Sequence, residues 1–113
     1  MSLLSELKTV MEGLDIPVET GVFKDTAPDR YTVLTPITDT LSLFADNTPQ
    51  HEVQEVRVSV YDKNNYTTLK NTLTRAFLAA DITVTDRRYI GHEDDTGYYH
   101  YAIDVAKLYQ WED

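Results

Sequence analysis

The chain has 113 residues, no cysteine, and nineteen acidic against ten basic side chains, a formal net charge of −9. That length holds one domain, and the missing cysteine excludes a disulfide framework, thiolate catalysis and any zinc site with sulfur ligands. The acidic balance disfavours sequence-independent binding to phosphate backbones, which needs clustered Lys and Arg; the one adjacent basic pair, Arg87-Arg88, has Asp86 beside it.

In chain order, Ser2 is a plausible N-cap for a first helix with the apolar stripe Leu3, Leu7, Val10, Met11 and Leu14. Glu6, Lys8 and Glu12 interrupt that stretch, so it reads as neither a signal peptide nor a membrane span. No other apolar run reaches the ~20 residues of a spanning helix, and the chain is expected to be soluble. Pro17 stops the helix, and residues 16–23 read as a short extended edge segment. Residues 24–29 read as a turn. Two short strands follow, 31–35 and 41–45, joined through Pro36-Ile37-Thr38-Asp39. Asp46-Asn47-Thr48-Pro49 reads as a loop.

From Val53 to Tyr61 the residues alternate, Val56, Val58 and Val60 on one side and Glu55, Arg57 and Ser59 on the other, the period of a half-buried strand. From Tyr66 the period turns helical, with Tyr66, Leu69, Leu73, Ala76, Phe77 and Ala80 on one stripe and caps offered by Asp62, Asn64 and Asn65. The poor helix formers Thr67, Thr68, Thr72 and Thr74 mean that this helix depends on burying its stripe. Residues 82–90 predict a strand, 92–97 an acidic turn, and 98–111 a long final strand. On that strand Tyr99, Tyr101, Ile103 and Val105 share one face, and Tyr98, His100, Ala102 and Asp104 the other. The expectation is an α+β fold: a small, mostly antiparallel sheet of four to five strands with two helices packed on one face.

Reactive groups are sparse. His92, Glu93, Asp94, Asp95 and His100 form the most tempting cluster, because two imidazoles with a carboxylate can bind zinc. An acidic hairpin tip explains the same residues without a metal, since turn carboxylates lack partners to orient them. Asp62-Lys63-Asn64-Asn65 fails as a calcium loop, having Thr67 where Gly and Leu73 where Glu are needed. There is no nucleophile elbow and no phosphate-cradling glycine loop. Glu52 and Glu55 point to opposite faces and make no acid/base pair. Neither a catalytic residue nor a cofactor is expected. The aromatic set Tyr98, Tyr99, Tyr101, Tyr109 and Trp111 suits a core or a subunit interface better than a base-stacking platform, given the net charge.

An extended segment ending in Ala45-Asp46-Asn47, a strand closing with Val58-Ser59-Val60-Tyr61-Asp62, a packing helix, and a hairpin whose Asp95-Thr96-Gly97-Tyr98-Tyr99-His100-Tyr101 enters the last strand follow one another. In this order the chain, over residues 31–109, resembles the small tail-completion proteins of long-tailed phages and prophages, the tail terminator or head–tail joining group. The resemblance implies a non-enzymatic virion protein, made in the bacterial host cytoplasm, that assembles as a ring, usually of six subunits. Such a ring caps the tail tube and faces the head connector. DNA passes through it, and an acidic inner wall keeps the duplex from sticking. Asp46, Asn47, Thr96 and Gly97 read as loop and turn formers, His100 and Tyr101 as contacts with a neighbouring subunit. The expected ring interface is the 98–109 strand (Tyr98, Tyr99, His100, Tyr101, Tyr109) with a second patch in the 46–52 loop (Asp46, Asn47). Two other classes fit less well: an acidic DNA mimic that inhibits a host enzyme, and a small metal-dependent enzyme using His92 and His100.

Overall fold

The computed structural model describes residues 2–20, 27–43 and 49–110, with the backbone alone at residues 40, 42, 43, 49 and 50. The elements are α1 (Leu3–Gly13), β1 (Val18–Thr20), β2 (Arg30–Leu43), β3 (Pro49–Asp62), α2 (Tyr66–Ala79), β4 (Thr83–His92) and β5 (Tyr99–Gln110). They form a five-stranded sheet in the order β1-β2-β3-β5-β4. Among the described residues the β1–β2 pair is parallel and the other three pairs are antiparallel. Both helices cover the same face, which makes this a small α+β domain.

The alternation in the middle strand decides which face they cover. Val56, Val58 and Val60 of β3 and Tyr101, Ile103 and Val105 of β5 are all buried, and they meet Leu3, Leu7 and Met11 of α1 and Leu69, Leu73 and Phe77 of α2 in one apolar cluster. Val10 and Tyr66 pack at its margin, while Leu14 is exposed. Ser2 caps α1 by accepting from the Ser5 N–H, and Asn65 caps α2 by accepting from the Thr68 N–H at 3.1 Å. Asp62 is fully buried at the end of β3, where it accepts from the Asn64 N–H at 2.8 Å and from Arg30 Nε at 3.2 Å. It therefore fastens the β2–β3 pair to the turn that launches α2.

The two helices end alike. Asp15 (φ 58°) and Asp81 (φ 64°) take the left-handed conformation, and the Ile16 and Ile82 N–H groups reach back to the Met11 and Phe77 carbonyls, each at 2.9 Å. In both places this C-terminal motif buries the isoleucine that follows.

Two expectations change. Residues 31–45 are not two short strands; one strand, β2, runs straight through Pro36, with a register shift between Pro36 and Thr38. The missing proline N–H is tolerated there because the strand lies towards the sheet's edge and next to a bulge. The expected 46–52 loop patch is also redrawn. Asp46 and Asn47 lie outside the described residues, and residues 49–52 belong to β3.

The sheet outgrows its helices. At ~3.3 Å per residue β2 and β3 span about 46 Å, against ~16 Å for α1 and ~21 Å for α2 at 1.5 Å per residue; the whole molecule measures 54 × 27 × 24 Å. α1 begins over Gln54, whose Oε1 accepts from the Leu3 N–H at 2.8 Å. Beyond that point β2, β3 and the end of β5 continue as an arm. Residues 35–39 and Leu41 of β2 are all exposed, so neither face of the strand is covered there.

Candidate assembly surface

The turn between β4 and β5 is held by Gly97 (φ +84°), whose N–H reaches the Glu93 carbonyl at 2.7 Å, while the Glu93 N–H reaches the Tyr98 carbonyl at 2.8 Å. Thr96 donates to Glu93 Oε1 at 2.8 Å. Thr96 and Gly97 are thus turn formers. The aromatic residues after them pack mainly within the protomer. Tyr98 is 7% exposed, and its hydroxyl donates to the Pro28 carbonyl at 2.6 Å. Tyr101 is 6% exposed, with Lys70 Nζ 4.7 Å from its ring centroid. Half-buried Tyr99 lies between Tyr66 at 5.3 Å and His92 at 4.5 Å. Tyr98 and Tyr101 therefore have little surface left for a neighbouring subunit: Tyr101 belongs to the core between the sheet and the helices, and Tyr98 is enclosed by Tyr31, Tyr61 and the Pro28 carbonyl.

His100 lies on the uncovered face, stacked on Tyr61, which is stacked in turn on Tyr31 at 4.7 Å. Tyr98 meets both tyrosines edge-on. Burial, with help from the neighbouring Tyr61, Tyr98 and Glu93, pushes the Tyr31 hydroxyl up to about 12. Further along this face Arg57 and Asp104 form a two-pronged ion pair at 2.8 and 3.0 Å.

His92 and His100 do not converge. The register pairs His92 with Tyr99 and His100 with Gly91, so the imidazoles project from opposite faces of the sheet. His92 Nδ1 instead meets Asp94 at 2.9 Å. Among the described residues no group of three His, Asp or Glu side chains is placed to hold a metal ion, and the two-histidine site loses its geometry.

Tyr109 also turns inward. Its hydroxyl donates to Glu6 Oε2, and Lys107 Nζ donates to Glu6 Oε1 at 2.8 Å and to the Ala80 carbonyl at 3.2 Å. This network ties α1, the end of α2 and β5 together at the base of the arm. Burial raises the Glu6 carboxyl, but the hydrogen bonds from Lys107 and Tyr109 outweigh it and hold the group below the usual range.

The large apolar side chains left exposed on the sheet carry no signal in the sequence. Leu41 and Leu108 lie on the arm, Ile37 at the bulge just before it, and Tyr89 and Ile90 on β4. Strand parity counted from Leu34 would place Leu41 on the uncovered face; the register shift between Pro36 and Thr38 turns it to the helix-side face, opposite Glu52, where the helices do not reach it. Comparison of the chain with protein-family models and with curated proteins finds no match.

Proposed function

We propose that the chain is a tail-terminator-like structural subunit of a long-tailed phage or prophage, acting at the head–tail junction through ring-like self-association and docking to tail-tube and connector proteins. The observation that supports this most is the arm. A sheet about twice as long as the helices covering it gives a protomer rigid strands, exposed on both faces of β2, with which to meet neighbours. The element order and the two helices on one face agree with the fold that the resemblance implies. A net charge of −9 suits the wall of a channel through which DNA slides without adhering.

Light scattering over a concentration series, with and without isolated tail tubes, tests the reading. The expected result is a discrete ring, formed in solution or on the tube end. A chain that stays monomeric and adds to no tube overturns it.

A further inference from the structure

The sheet has two open edges of opposite character. β1 pairs with β2 only at Thr32, Glu19-paired Val33 and Leu34, so among the described residues the outer edge of β2 is unpaired over 35–43. β4 pairs with β5 on one side, and its other edge is unpaired among the described residues along Thr83–His92. An unpaired row of backbone N–H and C=O groups is a template for another strand.

Composition says which strand. Residues 31–56 carry four carboxylates, at Asp39, Asp46, Glu52 and Glu55, and neither Lys nor Arg. β4 carries Arg87 and Arg88, the chain's one adjacent basic pair, both exposed. Arg88 holds Asp86 on its own strand at 2.5 Å, and Arg87 reaches Thr74 Oγ1 at 3.3 Å. Arm against arm brings acid to acid, and β4 against β4 brings arginine to arginine. Arm against β4 is the complementary combination.

Resting on the self-association proposed above, we infer that the arm edge of β2 in one copy pairs with the β4 edge of a second copy, head to tail. The usable part of β2 is residues 38–43, past the register shift at Pro36, where every residue keeps its N–H. On β4 it is residues 86–89, between the two register shifts. Leu41, paired with Glu52, and Tyr89, paired with Tyr101, both belong to the helix-side face, so a continuous sheet brings these two exposed side chains together. A contact between unlike patches closes into a ring or runs on as a filament.

The absence of native cysteine makes the test clean. Leu41→Cys and Tyr89→Cys chains are prepared separately, checked for folding by circular dichroism, and treated with a short bis-maleimide. Alone, each stays uncross-linked; mixed, they give heterodimers, and the double variant gives a ladder. The Arg87→Glu, Arg88→Glu variant raises the concentration needed for assembly about tenfold or more, the scale of an unfavourable charge contact, and Asp39→Lys in the same chain restores much of the loss. Cross-linking of Leu41→Cys with itself overturns the head-to-tail pairing. So does assembly without any cross-link in the mixture, although the ring reading then stands. A chain that never assembles, with or without tail tubes, overturns both.

Discussion

His100 stacks on Tyr61 with ring centroids 4.3 Å apart and planes 19° from parallel, and its Nε2 is buried with no hydrogen-bond partner. Burial pushes the imidazole below its ordinary value of 6.5, outweighing the opposing pull of Glu93. Above the ordinary value neither the folded nor the unfolded chain binds this proton. As pH falls below it the unfolded chain is protonated first, and stability drops until the lower folded value is passed. Urea midpoints at about pH 7.5 and 5.5 should therefore fall further for the native chain than for His100→Phe. Equal falls in the two would show that the imidazole is not held neutral.

The Glu6–Lys107 pair is the second point of leverage. Its side chains are 18% and 21% exposed, and Lys107 also serves the carbonyl at the end of α2. Lys107→Met leaves a shielded carboxylate without its cation and should cost roughly 1.5–3 kcal/mol, the range for hydrogen bonds to charged groups. Glu6→Gln together with Lys107→Met should cost less than the two single losses summed. A double-mutant cycle by denaturant unfolding reads the coupling, and a coupling near zero would mean that the network does not hold the helices down.

Leu73 sits fully buried between α2 and the sheet. Leu73→Ala should lower stability by about 2–5 kcal/mol, whereas Leu78→Ala, at a position 58% exposed on the same helix, should change it by less than about 0.5 kcal/mol. Thermal unfolding of the two variants side by side gives the comparison.

Asp81 offers a gain. Its left-handed conformation strains a side chain, and its negative charge sits at the negative end of α2. Asp81→Gly should stabilise the fold by up to about 1 kcal/mol, and Asp15→Gly should act in the same direction at the end of α1. Chemical denaturation measures both, and a loss of stability on either change would show that the carboxylate makes a contact worth more than the strain.

What could be read from the residues was whatever short-range periodicity fixes. Val56, Val58 and Val60 announced a strand with one buried face, and Leu69, Leu73 and Phe77 announced the helix that covers it. Pro36 misled, because a proline breaks an interior strand but not one near an edge beside a bulge. The aromatic residues after Gly97 were legible as a cluster but not as core, since their burial depends on α2 and on Pro28, seventy residues from Tyr98 in sequence. Glu6 and Lys107 are 101 residues apart, and no local pattern connects them. The separation of His92 from His100 is a matter of register, which one bulge at Ile90 is enough to alter.

The composition of the arm has a practical corollary. Trypsin cuts after lysine and arginine, and between Arg30 and Arg57 the chain offers it no such bond. Brief digestion therefore samples the helices and the turn-bearing end of the sheet while the segment most exposed to neighbours leaves as a single peptide. A protease that cleaves beside carboxylates, whose targets include Asp39, Glu52 and Glu55, reports instead on whether another copy shields that segment.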